Sequence, residues 1–343
     1  GVAVRRLKRV TEIQRVLLDQ LTVLETMTPL GFLEFRDYLF PASGFQSLQF
    51  RKIEQTLGLP ARKRLKYAGR SYCSYLPEEH VKQLEKITPD KTIFRLVEKW
   101  LERTPFLEWE SGGGLLGRKT LDGRHGGGKA AAAASPPPAA AAAAAASPKS
   151  AHKFEFWTAY EAAVEAMCAR DIAEILHNSN NYSQEQVSDE ETKAQLAEVE
   201  KTRQHYAALF NPEVHAAAVE RGDRRLSYRA LQASLLIMLY QDEPILQLPA
   251  MLISKLIDVD ELMTLWRHRH ALMVHRMIGR KLGTGGSSGF SYLKATAERH
   301  KVFQDLFNLS TYMIPGMKLP PLPPALKRSL DFQLREQGGT KEE

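Results

Sequence analysis

The sequence predicts an all-α fold. Apolar residues recur every three or four positions over several long segments, which is helical periodicity. Capping and stop residues flank several of those segments. Sustained period-two alternation and Asn-Gly hairpin turns are absent, so strand signals are scarce.

The elements follow in chain order. Residues 3–27 form a helix whose Leu7, Val10, Ile13, Leu17, Leu21 and Leu24 make one apolar face, and Thr28-Pro29 ends it. A short helix fits residues 32–39, because Pro41 disfavours helical geometry just before it. Ser43-Gly44-Phe45-Gln46 is an S-x-x-Q capping box opening a helix through Leu57, with Gly58 as its stop. Residues 91–103 make the next helix, with Ile93, Leu96, Val97, Trp100 and Leu101 on one side.

Composition then changes. Residues 111–153 hold two Gly-Gly-Gly runs, two alanine runs and three consecutive prolines, with few large apolar groups. Such a segment cannot bury enough surface to offset its ordering entropy, so a disordered insertion is expected. Helical patterns resume over 154–176, 190–210 and 226–240, the last apolar on most sides. Pro244 and Pro249 are expected to break the chain before a helix over 250–257. Asp258 or Asp260 would then cap a long helix reaching Lys281. A Gly-Thr-Gly-Gly-Ser-Ser-Gly loop occupies 283–289, and one or two helices span 290–313. The tail from Pro315 is proline-rich, read as a linker or polyproline ligand, then charged.

Composition bounds function. The 343 residues suffice for one large domain or two ordinary ones, and 43% apolar with 25% charged residues is ordinary globular usage. Two cysteines, Cys73 and Cys168, cannot build a disulfide scaffold or a four-thiolate metal site, which fits a reducing compartment. No apolar run approaches the ~20 residues that span a bilayer. The net charge of +7 raises the question of nucleic acid, but the two basic clusters, at 5–9 and 62–66, read as solvated surface. No nucleic-acid or membrane partner is expected.

One helical stripe carries chemistry. Met263, Trp266, His270, Met273 and Met277 are spaced three and four apart and share a face. His268 and His275 lie about 200° and about 140° away at ~100° per residue. Two readings of His270 are open: a core histidine satisfied by a hydrogen bond, or an axial ligand to a large apolar cofactor such as haem. Arg36 shares a helix side with Phe32 and Leu39. It needs an anion, either an internal Asp or Glu or a substrate carboxylate matched to its fork. The 283–289 loop is either a plain connection or a backbone cradle for an anion. No G-x-S-x-G, H-E-x-x-H or nucleophilic triad pattern occurs.

Longer strings carry a resemblance. They run from Phe35-Arg36-Asp37-Tyr38-Leu39 through Pro41-Ala42-Ser43-Gly44-Phe45-Gln46-Ser47-Leu48-Gln49-Phe50-Arg51 and Trp100-Leu101-Glu102-Arg103-Thr104-Pro105. They continue in Arg224-Arg225-Leu226-Ser227-Tyr228-Arg229-Ala230-Leu231-Gln232, the 283–289 loop and Leu306-Phe307-Asn308-Leu309-Ser310-Thr311. Over about 6–110 and 154–332 the chain resembles the tryptophan 2,3-dioxygenase family.

The resemblance implies a helical haem dioxygenase fold in a cytoplasmic homotetramer, with heme b as the iron cofactor. The implied reaction inserts O2 across the indole C2–C3 bond of L-tryptophan, giving N-formylkynurenine, the first step of the kynurenine pathway. It implies His270 as the iron ligand, with Trp266, Arg51, Ala42 and Tyr292 around the haem. It implies Phe32, Arg36, Leu39, Ser43, Gly44 and Thr284 around the substrate. Residues 1–110 and 154–332 would be two parts of one catalytic domain, interrupted by the 111–153 insertion and followed by a disordered tail at 333–343. The family's leading segment, with its distal histidine, has no match here, so a truncated or partial chain is expected and no catalytic side chain beyond the iron is assigned. The competing reading is a catalytically silent haem-binding or assembly protein of the same fold.

Overall fold

The structure, a computed structural model, describes residues 1–66, 71–104, 109–110, 153–154, 156–181, 189–284 and 289–330. These are helical apart from one two-residue antiparallel ladder and connecting turns. The helices in chain order are α1 (Val2–Leu24), α2 (Pro29–Phe35), α3 (Leu48–Leu57), α4 (Glu78–Glu85), α5 (Ile93–Leu101), α6 (Phe156–Asn181) and α7 (Asp189–Phe210). They continue with α8 (Pro212–Arg221), α9 (Tyr228–Leu239), α10 (Pro244–Ile278), α11 (Phe290–Arg299), α12 (Gln304–Phe307) and α13 (Pro324–Leu330).

Helix α9 is the centre of the core. Ser227 caps it by accepting the Ala230 N–H, and residues 230–237 are all buried. Side chains from before and after the insertion share this core, among them Phe94, Leu101, Tyr160, Leu209 and Phe303. The ladder pairs β1 (Trp109–Glu110) with β2 (Lys153–Phe154), Trp109 opposite Phe154 and Glu110 opposite Lys153. It brings together the two ends of the 111–152 segment, which lies outside the described residues, as does 331–343.

Several expectations need correction. Helix α1 packs on α10 through Val4, Thr11, Gln14, Leu18 and Leu21. Of the face read from hydropathy, Val10, Ile13, Leu17 and Leu24 are 40–54% exposed. The true interface admits Thr11 and Gln14 because their polar groups are bonded. Thr11 Oγ1 donates to the Lys8 carbonyl and Gln14 Nε2 to the Val259 carbonyl at 2.9 Å. Leu96 of α5 is likewise exposed, and Phe94 and Glu98 are buried instead.

Pro244 and Pro249 do not break the chain. Pro244 stands at the first helical position, where its missing N–H costs nothing. Pro249 lies inside one continuous 35-residue α10. Neither Asp258 nor Asp260 is a cap: Asp258 pairs with Lys255, and Asp260 accepts the Val302 and Phe303 N–H groups at 2.9 Å. The capping box at Ser43 starts only a 3-10 turn, and Ser47 caps α3 by accepting the Phe50 N–H. In the 62–66 cluster, Lys63 donates to the Lys301 carbonyl and Arg64 to the Leu59 carbonyl, so both belong to the fold rather than to a solvated run. The proline-rich tail is packed, not a free linker, up to Leu330. Tyr240 donates to the Pro320 carbonyl at 2.6 Å, and Leu326 and Leu330 are buried.

Candidate active site

Four pieces of chain converge on one cavity of about 710 Å³ with mainly apolar walls. Thr28 caps α2 by accepting the Gly31 N–H, with Pro29 at the first helical position. That helix and the 3-10 turn Arg36–Leu39 present Phe32, Arg36 and Leu39 to the cavity, followed by Ser43 and Gly44. The Ser47 cap sets the phase of α3, which brings Phe50 and Arg51 to the wall. Helix α10 contributes Trp266, Arg267, His270, Met273 and Met277. Gly283, Thr284, Tyr292 and His300 complete the lining.

The predicted site residues therefore come together, with one exception. Ala42 does not line the cavity; its carbonyl accepts the Thr284 hydroxyl at 2.7 Å, joining that residue to the turn after Leu39. Met263, at the start of the predicted stripe, also lies off the cavity. Residues 285–288 of the glycine loop are outside the described residues.

His270 can now be read. Its ring stacks on Trp266, centroids 5.1 Å apart and planes 16° apart, and Phe50 lies 5.6 Å beyond Trp266. Burial lowers the imidazole pKa, so the ring is neutral at pH 7. Among the described residues no group hydrogen-bonds either ring nitrogen. A core histidine satisfied internally would show such a partner. A neutral, lone-pair-bearing imidazole on an apolar cavity wall could serve as a ligand to an iron-bearing cofactor.

Arg36 has a partner that the sequence does not suggest. Its guanidinium donates to the Leu282 carbonyl, and no carboxylate among the described residues pairs with it. A carbonyl accepts a hydrogen bond but does not neutralise charge, so an anion remains wanted at this point.

Beneath Arg51 lies a buried ionic cluster. Glu54, 3% exposed, accepts from Arg51 Nη1 at 2.5 Å, from Arg267 Nη2 at 2.9 Å and from His300 Nδ1 at 3.1 Å. Burial alone would raise the Glu54 pKa. The His300 hydrogen bond and the two guanidiniums outweigh it and hold the pKa down at about 2. Burial lowers the pKa of His300 despite Glu54. Its Nε2 accepts the Leu65 N–H at 3.4 Å, and its Nδ1 faces Glu54 at 3.1 Å and Arg267 Nη1 at 3.3 Å.

Sequence reasoning missed Arg267, His300 and Glu54. Arg267 adjoins Trp266 but falls off the apolar stripe, and the Glu54 contacts bridge residues more than 200 positions apart. Only the i, i+3 spacing of Arg51 and Glu54 was a local signal. Among the described residues no group of three or more His, Cys, Asp or Glu side chains is arranged to hold a metal ion by itself.

Known proteins match the chain over nearly its whole length. The tryptophan 2,3-dioxygenase of Dictyostelium discoideum is 39% identical over 333 residues, covering 97% of this chain and 71% of that protein. The tryptophan 2,3-dioxygenase of Bdellovibrio bacteriovorus is 40% identical over 332 residues, covering 97% of this chain and 79% of that protein. The tryptophan 2,3-dioxygenase family profile matches residues 2–116 and 132–313. With matches of this length and identity, the chain belongs to the tryptophan 2,3-dioxygenase family.

Proposed function

We propose that the cavity houses a haem-dependent dioxygenation of L-tryptophan, in which O2 is inserted across the indole C2–C3 bond to give N-formylkynurenine. Family membership supports the activity, and the relatives' names favour an active enzyme over a silent haem-binding protein of the same fold. The observation that carries the cofactor is His270, a neutral imidazole with no hydrogen-bond partner among the described residues, on the wall of a large apolar cavity.

When bound, haem b would supply the ferrous iron that binds and activates O2. The chain's own residues do the rest. His270 would ligate the iron, with Trp266 fixing the plane of its ring. Arg51 and Tyr292 would face the cofactor's edge, and the segment at Ala42 would flank it through backbone. Arg36 would exchange its Leu282 contact for the substrate carboxylate, a charge-assisted pair that orients the amino acid. Phe32 and Leu39 would hold the indole by apolar contact, with Ser43, Gly44 and Thr284 at the polar end of the substrate. Orientation and exclusion of water are then the protein's main contributions.

The same proposal places residues 1–110 and 154–332 in one catalytic domain. It places the enzyme in the cytoplasm at the first step of the kynurenine pathway, as a homotetramer. No helix among the described residues is long and apolar enough to cross a membrane. The exposed Val10, Ile13 and Leu17 of α1 offer an apolar face consistent with assembly. Adding hemin, a reductant, O2 and tryptophan should produce N-formylkynurenine absorbance. A haem-loaded protein that makes none would refute the dioxygenase reading.

A further inference from the structure

Arg269 stands immediately before His270 on α10, yet its side chain leaves that helix and ends on α1. Its Nη1 donates to the Leu18 carbonyl at 3.3 Å, and its Nη2 donates to Thr22 Oγ1 at 3.1 Å and to Glu25 Oε2 at 2.7 Å. These acceptors belong to the last turns of α1 and to its C-cap residue, Glu25. The carbonyl end of a helix is negative, and α1 has no basic residue in its last turn. Glu25 adds a further negative charge there. Arg269 supplies, from another helix, the cation that α1 lacks, and its fork engages several acceptors at once.

This contact holds part of the cavity in place. Leu24 and Met27, which flank Glu25, both line the cavity. A tight turn follows, in which the Met27 N–H bonds the Leu24 carbonyl at 3.2 Å and the Thr26 hydroxyl bonds the Val23 carbonyl at 2.7 Å. Thr28 then caps α2, which carries Phe32 and leads into Arg36. One end of the clamp therefore adjoins the residue read above as the iron ligand. The other end sits at the corner that launches the helix read as the substrate side.

We propose that Arg269 and Glu25 are positioning residues that set the size of ring the site accepts. Their contact fixes how far the α1–α2 corner stands from the His270 face of α10, and so the room left for the ring of the bound amino acid. Neither residue lines the cavity, so both act through Leu24, Met27 and Phe32. This inference rests on the haem and tryptophan reading above and deepens it by naming what controls ring selectivity. The Arg269 and Glu25 side chains are 30% and 27% exposed, so losing their contact loosens the corner rather than unfolding the domain.

The test uses two readouts on the full chain. The first is amide hydrogen exchange without haem. Glu25→Gln should speed exchange at residues 24–28 about threefold or more, the scale of one partly exposed ion pair, and leave α9 unchanged. The second is a spectral titration of the hemin-loaded protein with tryptophan, 5-methyltryptophan and 6-methyltryptophan. The native protein should bind tryptophan more tightly than either methylated ring. Arg269→Gln and Glu25→Gln should each narrow that preference about threefold or more, while the His270-dependent Soret band stays. The double variant should narrow it no further than the single ones, as partners in one contact do. Asp258→Asn breaks a comparable ion pair on the same helix, with Lys255, away from the cavity. It should leave both readouts at native values, which separates a clamp on the site from a general loss of stability. Should Arg269→Gln lose haem because it adjoins the ligand, Glu25→Gln, which leaves α10 intact, decides the matter. A native protein with no preference for tryptophan, native selectivity in Glu25→Gln, or equal narrowing in Asp258→Asn would overturn the proposal. If the hemin-loaded native protein shows no spectral response to tryptophan, the substrate reading fails and the proposal falls with it. Faster exchange at the corner in Glu25→Gln would identify that case as a failure of the substrate reading rather than of the clamp.

Discussion

At the scale of single residues, the site separates into groups that touch ligands and groups that hold those groups in place. Arg36 is proposed to be of the first kind. Arg36→Ala should weaken tryptophan binding by ~2–4 kcal/mol, because a carboxylate bound in the cavity loses its fork partner. The check is a raised KM with a smaller change in kcat, and an unchanged KM would make Arg36 structural. Glu54 is of the second kind, and its effect on stability has a definite sign. Its pKa falls from 4.5 to about 2 on folding. The folded state is therefore favoured above about pH 4.5, and the advantage is lost as pH falls towards 2. The shift corresponds to roughly 3 kcal/mol at neutral pH. Acid unfolding of Glu54→Gln should lack that part of the pH dependence; identical acid profiles for both proteins would show that Glu54 is not held ionised. Arg36 and His270 were both legible in the sequence as polar side chains on apolar helix faces. The Glu54 partners were not, because Arg267 and His300 are distant in sequence and no local pattern announces a tertiary ion cluster.

At the scale of elements, the stop at Gly58 was legible, whereas the caps read at Ser43 and at Asp258 or Asp260 do not start helices. Gly58 ends α3 with φ of +100°, and a Cβ there would lie 2.9 Å from Phe94 Cβ. Gly58→Ala should cost ~2 kcal/mol or more, through the left-handed backbone and the clash with α5 together. Thermal or urea unfolding checks it, and a neutral result would mean that α3 and α5 can move apart without penalty. Pro249 is the reverse case. It removes one backbone hydrogen bond within α10, so Pro249→Ala should stabilise by about 1–3 kcal/mol, read as a raised Tm. Reading a break at this proline was reasonable from local rules. Tertiary packing overrode it: Leu246, Ala250 and Ile253 on either side are fully committed to the core. Helices α4 and α8 escaped notice for a different reason. The first has eight residues with only Val81 and Leu84 as large apolar groups, and the second has ten with only Val214 and Val219, so neither shows a stripe. The Asn211-Pro212 start and Gly222 stop of α8 were nevertheless present as signals.

At the scale of the whole molecule, the described residues before 111 and after 152 have to be joined into one core. The β1–β2 ladder holds the two ends of the 111–152 segment in register, and helices on both sides of it share one core. Closure entropy grows slowly with loop length, so its removal should matter little. Replacing residues 112–151 by a short hairpin turn should leave Tm within a few degrees of the native value, about 1 kcal/mol or less. A large loss would mean that the segment packs on the domain. The composition shift made the interruption plain in the sequence. The face that α1 presents to α10 was not plain, since it uses Thr11 and Gln14, whose bonds exist only in the folded molecule.

All three scales meet at His270. The cap of α3, the continuity of α10 and the shared core place this one imidazole, neutral and without a hydrogen-bond partner among the described residues, on the wall of an apolar cavity. The most direct measurement is a hemin titration of the chain beside His270→Ala, followed by Soret absorbance. Stoichiometric binding with a Soret band that His270→Ala abolishes is the expected result. An identical titration in the two proteins would contradict the assignment of His270 as the iron ligand.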